Sequence, residues 1–343
     1  EVGNVNCSIP KVYRRNLLVK SINADQAADT VITLNMNQND YHTEYSNGSW
    51  LNQGAGLFVD FHFTDGCEVK RLKISGNVKL GLFDTSGTLT YVTKRTNPEV
   101  HIGVGGFAAR TANSSGTVSF DGFHLENINV YGGTMTGGAI GYIDGYSNKA
   151  GRNVSFTNWM INGEIISKWV EKSGNTGGLI GWYNGCGQLE IDGGMNTDAN
   201  INIKHISVHT YAKEFGDASV GGLVGVIENG SAEINNVNVE GLTISGMNLQ
   251  NFGGLIATGK QKQGKMKISN CRLNHIQLTL NQGVNTKESY TGGLIGCNEM
   301  ELNICNVMLE GNIYGQRYTG GFTGRSTANL TISDSKINNA RIK

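Results

Sequence analysis

The chain has 343 residues, and its 28 basic and 28 acidic side chains give a formal net charge of zero. Lys and Arg form no run of five residues, so the sequence lacks the basic patch that is typical of a nucleic-acid-binding protein. No apolar stretch approaches the roughly 18 to 20 residues that a membrane-spanning helix requires, so we expect neither a nucleic-acid partner nor membrane insertion by this chain.

The first fifty residues lack the repeated pattern of the rest of the chain. They contain two short apolar segments, residues 17–19 and 31–36. Terminal units of a repeat protein must cover an otherwise unpaired edge. We therefore interpret residues 1–50 as an N-terminal cap and residues 51–343 as one repeat domain.

From residue 51 onward, a doubled glycine followed by apolar residues returns along the chain. The copies begin at Gly105, Gly137, Gly177, Gly221, Gly253, Gly292 and Gly320, and a weaker copy begins at Gly54. Successive full copies lie 28 to 44 residues apart, a range that indicates stacked supersecondary units. Glycine suits a corner because it accepts a positive φ and allows another backbone to pass closely.

A second pattern follows each glycine pair: an apolar residue, any residue, Asn or Asp, and then an apolar alternation. The polar position is occupied by Asn158, Asn236, Asn270, Asn306 and Asp334. A further apolar alternation, such as residues 242–244, completes a repeat of three short strands. We predict a right-handed parallel β-solenoid of about eight coils, in which these polar side chains form a structural ladder along one corner.

The glycine pair and the Asn-bearing strand together resemble the GLUG-type repeats of large bacterial surface and secreted proteins. These include adhesin-like proteins and the region that precedes the protease domain of IgA-specific metalloproteases. Gly177, Gly221 and Gly292 head the most similar copies, whereas Ala257 replaces the final glycine of the copy at Gly253. The resemblance implies an extracellular or cell-surface location and no catalytic residues, because the motif is structural.

The apolar pattern continues to Ile342, next to the last residue. We therefore expect the chain to be part of a longer polypeptide, or to be covered at this end by a partner.

The metal-ligating residue types form no recognised motif. The six cysteines show no CxxC spacing, so no zinc site is expected, and disulfides stay open, for example between Cys297 and Cys305 in one coil. His124 and His205 fall in one predicted outward column but about 9.6 Å apart, too far to hold one metal ion without a third ligand. We expect no metal and no cofactor.

Polysaccharide-degrading enzymes are often β-solenoids, so the carboxylates were compared with a catalytic pair. The predicted outward column reads Ser75, Glu126, Asn162, Ser207, Glu240, Asn274, Glu310 and Asn338. Glu240 and Glu310 would lie two rungs apart, about 9.6 Å, at the edge of the range for inverting glycosidases. We favour a solvated face and no enzymatic activity. A lyase or hydrolase is the alternative, and an accessory region of a secreted protease is a second alternative.

The length of the repeat varies mainly just before each glycine pair. Insertions at one corner of a solenoid line up as a ridge, and such ridges commonly carry the binding surface. The candidate ligand-binding residues on this ridge are Tyr91, Trp169, Tyr211, Phe215, Tyr290 and Tyr318. Aromatic side chains beside Asn and Lys suit a glycan or a host surface protein, although each ring could instead cover the edge of the core. The sequence thus predicts a non-catalytic adhesion or stalk module with a ligand-binding ridge.

Overall fold

The computed structural model describes residues 2–5, 12–13, 18–19, 30–38, 54–63, 66–80, 102–111, 116–132, 134–144, 151–169, 174–194, 201–260, 264–281 and 288–343. These residues form thirty β-strands and no helix. All pairings between the described strands are parallel.

The strands are, in chain order, β1 Val2–Val5, β2 Val12–Tyr13, β3 Leu18–Val19, β4 Thr30–Gln38, β5 Gly54–Ala55, β6 Phe58–His62, β7 Cys67–Lys70, β8 Leu72–Leu80, β9 Gly103–Gly105, β10 Ala108–Thr111, β11 Gly116–Asp121, β12 His124–Tyr131, β13 Met135–Gly137, β14 Ile140–Asp144, β15 Arg152–Thr157, β16 Met160–Trp169, β17 Asn175–Gly177, β18 Ile180–Asp192, β19 Ile203–Gly221, β20 Val224–Asn235, β21 Asn238–Gly253, β22 Ile256–Gly259, β23 Lys265–Asn281, β24 Tyr290–Gly292, β25 Ile295–Asn298, β26 Glu301–Tyr314, β27 Tyr318–Gly320, β28 Thr323–Ser326, β29 Leu330–Ser333 and β30 Lys336–Ile342.

Each turn of the chain contributes four stacked segments, which we name A to D. Segment A ends at the first glycine of the pair (β5, β9, β13, β17, the ends of β19 and β21, β24 and β27), and segment B follows the pair (β2, β6, β10, β14, the starts of β18 and β20, β22, β25 and β28). Segment C precedes the Asn corner (β3, β7, β11, β15, the ends of β18 and β20, the starts of β23 and β26, and β29), and segment D follows it (β1, β4, β8, β12, β16, the starts of β19 and β21, the ends of β23 and β26, and β30). The predicted parallel β-solenoid is confirmed. Its turns have four segments where three were expected, because the glycine pair divides the first strand into A and B.

The described strands within residues 1–50 join the same ladder. Strand β4 pairs with β8 from Thr30 opposite Leu72 to Gln38 opposite Leu80, and β1 pairs with β4 in turn. Strands β1 and β4 therefore stack as D segments of the solenoid. The assignment of residues 1–50 as a separate cap stays a prediction.

Glycine is required at the repeated pairs because the backbones of successive turns approach closely there, and not because the backbone has a positive φ. Glycines with positive φ occur in the described residues, but none of them belongs to one of the repeated glycine pairs that precede segment B. A Cβ atom on Gly178 would lie 2.0 Å from the carbonyl oxygen of Gly222, and one on Gly222 would lie 2.1 Å from that of Gly254. Real Cβ atoms do not approach other atoms so closely, so the second glycines form a column in which each leaves room for the next turn.

The corner between segments C and D has a left-handed backbone. Its polar residues all have φ between 50° and 54°: Asn158, Asn236, Asn270, Asn306 and Asp334. Asparagine and aspartate tolerate this region better than other non-glycine residues. Asn306 Nδ2 donates to Asn270 Oδ1 at 2.9 Å, and Asn270 Nδ2 donates to Asn235 Oδ1 at 2.9 Å. Hydrogen bonds between side chains of successive turns therefore run along this corner.

The core is filled by the inward residues of all four segments. Alternation along segment C buries every second side chain, as in β15, where Val154 and Phe156 are fully buried. Phe120 and Phe156 lie one turn apart and stack with ring centroids 4.6 Å apart. The outward side chains of the same strands remain on the surface and form the faces described below.

Candidate functional site

The structure separates the predicted aromatic ridge into two places. Tyr91 lies outside the described residues, as do the side chains of Trp169 and Phe215, whose backbones belong to β16 and β19. Tyr211 lies in segment D, whereas Tyr290 and Tyr318 lie in segment A. The three described rings therefore lie on two different segments, on either side of the D–A corner, and do not form the single row that was expected.

Tyr290 and Tyr318 occupy equivalent positions in successive turns. Their rings stack with centroids 5.3 Å apart. Arg325 Nη1 donates to the Tyr290 hydroxyl at 2.7 Å, and this hydroxyl donates to Glu288 Oε2 at 2.7 Å. The hydrogen bond to Glu288 raises the pKa of Tyr290. Tyr290 is thus fixed and only 4% exposed, while Tyr318 is 50% exposed.

A group of interacting polar and aromatic side chains lies on the second half of segment D. We call it the tyrosine–lysine patch, and it comprises Lys79, Tyr131, Glu164, Lys168, His209, Tyr211 and Ser245. The strands β8, β12, β16, β19 and β21 carry these residues on successive turns. Alternation along each strand points them outward, because the residues between them, such as Val130 and Val208, are fully buried.

Two lysines of the patch lie over tyrosine rings of the following turn. Lys79 is directly opposite Tyr131, and its Nζ lies 4.9 Å from the ring centroid. Lys168 is opposite Tyr211, with its Nζ 5.6 Å from that centroid. The Tyr131 hydroxyl donates to Glu164 Oε2. These contacts hold the two cations and the two rings in defined positions.

His209 and Ser245 connect the patch to the next turn. His209 Nδ1 lies 2.6 Å from Ser245 Oγ, and the Tyr211 hydroxyl lies 3.3 Å from the same oxygen. Burial lowers the pKa of His209, and the nearby Glu164 opposes this effect. His209 is therefore a neutral hydrogen-bonding group at pH 7. The patch as a whole offers ring faces, hydroxyl and imidazole groups, and two cations to a ligand.

Sequence reasoning found Tyr211 but missed the rest of the patch. The missed residues occupy outward positions of the last part of segment D, where outward residues alternate with buried ones. This alternation with a period of two residues was the signal in the sequence that could have located them. Their chemical types differ from turn to turn, and no column of identical residues marks them.

The predicted carboxylate column is corrected at one position. Lys204, and not Ser207, lies opposite Glu240, while Ser207 lies opposite Thr243. The reason is that Ile203, and not Ile206, lies opposite Ile161, so the column is displaced by three residues in β19. Glu240 Oε1 lies 2.6 Å from His275 Nδ1.

Asn274 lies between Glu240 and Glu310, opposite Glu240 and adjacent in register to Glu310. The two carboxylates therefore remain two turns apart. Glu240 is engaged in an exposed hydrogen bond with His275, whose side chain is 72% exposed.

The same three-residue displacement separates the two histidines that were expected to share a column. His124 lies opposite Lys73 and Met160, whereas His205 lies at the left-handed bulge. Among the residues that the structure describes, no group of three or more His, Cys, Asp or Glu side chains is placed to hold a metal ion. Cys297 and Cys305 are both free thiols, so the disulfide considered for them is not formed.

Two buried charged groups lie outside the patch. Asp60 accepts a hydrogen bond from Arg110 Nη2 at 3.1 Å, and its Oδ2 lies 2.9 Å from His62 Nε2. Burial raises the pKa of Asp60, but His62 and Arg110 lower it by more, so this pKa lies below its ordinary value. Arg152 is fully buried, and its guanidinium has no hydrogen-bond partner within the described part of the chain.

Comparison of the chain with protein-family models, with curated proteins and with solved structures finds no match. The resemblance to GLUG-type repeats therefore stays a prediction. Across the described ranges, no helix has the length and hydropathy needed to cross a membrane.

Proposed function

We propose that the chain is a non-catalytic module of a bacterial cell-surface or extracellular protein and that it binds a polysaccharide through the tyrosine–lysine patch. The observation that carries this proposal is the fixed arrangement of Tyr131 and Tyr211 beside lysine, histidine and serine side chains on successive turns. Tyrosine combines an apolar ring with a hydroxyl, which suits the mixed apolar and hydroxylated surface of a sugar.

The shape of the fold supports an extended ligand. Successive turns place equivalent side chains about 4.8 Å apart, so the patch extends across several turns in one direction. A polymer that lies along the rod meets one group after another. A small ligand would instead be expected in an enclosed pocket lined mainly by apolar side chains.

The rest of the molecule supports a structural role beside binding. The described turns share one ladder and one continuous core cluster, which suits a stiff stalk. The GLUG-like pattern of the sequence supports the extracellular or cell-surface location. A host surface protein is the alternative ligand, and a polysaccharide-degrading enzyme is the alternative function.

The test is binding to a panel of soluble polysaccharides, measured by affinity electrophoresis and calorimetry. We expect Tyr131→Ala combined with Tyr211→Ala to weaken binding about tenfold or more, because each aromatic contact contributes on the order of 1 kcal/mol. Tyr318→Ala is the matched control, since Tyr318 is half exposed but lies in segment A, outside the patch.

Two results would contradict this proposal. The first is the absence of binding to every polysaccharide in the panel, with binding to host surface proteins instead. The second is release of reducing ends or unsaturated products from any polymer, in a manner that Glu240→Gln or Glu164→Gln abolishes. Circular dichroism of each variant checks that the fold is kept.

A further inference from the structure

The charges of this neutral chain are segregated between two faces of the rod. We call the outward side chains of the second half of segment D the D face, which contains the patch. Among its described residues, the D face carries four cations and one anion: Lys79, Lys168, Arg341, Lys343 and Glu164. The formal net charge of the whole chain is zero, so the excess positive charge of the D face is balanced by negative charge elsewhere in the chain.

The outward side chains of segment C have the opposite balance. From β7 onward they comprise six anions, Glu68, Asp121, Glu190, Asp192, Glu233 and Glu301, and three cations, Lys70, Lys265 and Lys267. An extended polyanion is therefore repelled by the C side of the rod and attracted to the D face. Segregation of this kind directs a charged ligand to one surface and sets its orientation.

The two central lysines of the D face have fixed positions. They lie two turns and two residues apart, which places their Cα atoms about 12 Å from each other. Each is held over a tyrosine ring, at 4.9 Å for Lys79 and 5.6 Å for Lys168. A polymer that stacks on Tyr131 and Tyr211 thus passes two ammonium groups at a defined spacing.

The only anion of the described D face is already engaged. Glu164 accepts the hydrogen bond of the Tyr131 hydroxyl, and the adjacent His209 is neutral at pH 7. The other described side chains of the face are mostly uncharged hydrogen-bonding groups, such as Asn129, Ser207 and Gln277. These groups suit sugar hydroxyls and leave the lysines as the groups that recognise charge.

We infer that the polysaccharide bound by the D face is acidic, carrying carboxylate or sulfate groups that contact Lys79 and Lys168. This inference rests on the proposed function and specifies its ligand class. Uronate carboxylates and sulfate esters share the same chemistry toward an ammonium group, and the experiment separates them.

The experiment compares three polymers at low and moderate ionic strength: polygalacturonate, the same polymer with its carboxylates fully methyl-esterified, and a sulfated galactan. We expect at least one acidic polymer to bind about tenfold more tightly than the esterified one, and its affinity to fall as salt rises. Lys79→Ala with Lys168→Ala should remove this preference, so that the acidic and esterified polymers bind the variant equally. Glu164→Gln should increase affinity for the acidic polymer.

Lys265→Ala with Lys267→Ala is the matched control, because these lysines are exposed on segment C and should not affect binding. Equal, salt-independent binding of the esterified and acidic polymers would overturn the inference while the proposed function stands. Binding of none of the polymers would overturn both. Equally tight binding of single-stranded oligodeoxythymidylate, lost in the same lysine variant, would show a general polyanion site and would also overturn the inference.

Discussion

Arg152 begins strand β15 and lies entirely inside the solenoid. Its carbonyl oxygen accepts a hydrogen bond from the Tyr183 hydroxyl at 2.7 Å, but its guanidinium has no such partner within the described residues. Burial lowers the pKa of Arg152, while nearby Asp144 opposes this effect. A buried cation without hydrogen bonds costs several kcal/mol of folding free energy.

We therefore predict that Arg152→Met stabilises the fold. The expected gain is about 1 to 4 kcal/mol, the range for replacement of buried ion pairs by well-packed apolar side chains, because no hydrogen-bonded partner of the Arg152 guanidinium is left behind. The midpoint of urea unfolding, followed by circular dichroism, measures this change.

Arg110→Met is the comparison for this variant, because Arg110 has the partner that Arg152 lacks. Its loss removes a hydrogen bond to the buried Asp60 carboxylate, and we expect a destabilisation of about 1 to 3 kcal/mol. If Arg152→Met destabilises the protein as much as Arg110→Met does, Arg152 has an essential electrostatic partner and the argument is wrong.

The structural positions of individual residues could be predicted from the sequence where the backbone conformation accepts only a few types of amino acid. The Asn positions were visible because a left-handed corner accepts few residues other than Asn, Asp and Gly. His205 occupies the other left-handed position of segment D, where the equivalent residue in the next turn is Gly241. The longer connection between Asp192 and Ile203 hides the corner position in the sequence, so the register of β19 could not be derived.

The connection between segments A and B depends on the column of second glycines. Gly178, Gly222 and Gly254 follow one another in successive turns, and each faces the carbonyl oxygen of the next at 1.9 to 2.1 Å from a hypothetical Cβ. A side chain in this column must push two turns apart. The recurrence was readable in the sequence because every turn meets the same steric limit.

We predict that Gly222→Ala destabilises the protein by about 2 kcal/mol or more, because overpacking against backbone cannot be relieved by a rotamer change. Gly151→Ala is the matched control. The nearest heavy atom to a Cβ at Gly151 is 3.2 Å away, so a change below about 1 kcal/mol is expected there. Thermal unfolding of both variants provides the measurement, and equal losses would show that general glycine flexibility, and not the contact between turns, explains the motif.

The solenoid is a stack in which each turn is stabilised by its two neighbours. Leu302 and Ile304 are at most 1% exposed, but their counterparts one turn later, Leu330 and Ile332, are 37% and 45% exposed. Strands β29 and β30 pair on one side only among the described strands. The last turn therefore has fewer stabilising contacts than the turns within the stack.

Hydrogen exchange followed by mass spectrometry tests this difference. We expect amides of β29 and β30 to exchange at least about tenfold faster than those of β23, since local opening requires less free energy where fewer contacts are broken. Uniform protection along the rod would mean that the described turns open only together, and the nearest-neighbour description would then be wrong.

The fold as a whole could be predicted because the same steric and backbone requirements return in successive turns and leave a repeated pattern in the sequence. The binding face leaves no such pattern. Glycine pairs recur in most turns and a corner Asn or Asp in five of them, and together they indicate parallel stacking. The D face instead changes its chemistry from Lys79 to Tyr131 to His209 along the rod. Such variation carries no internal repeat, and only the register assembles it into one surface.

The glycine column has a consequence for how the D face can evolve. The distance between turns is set by backbone hydrogen bonds, and the glycine column, whose residues are not part of the ligand-facing surface, allows the A–B connection to keep that distance. Side chains on that surface can therefore be exchanged while the distance between them on successive turns stays constant. Homologous rods built on the same glycine column would recognise different polymers with the same periodic geometry.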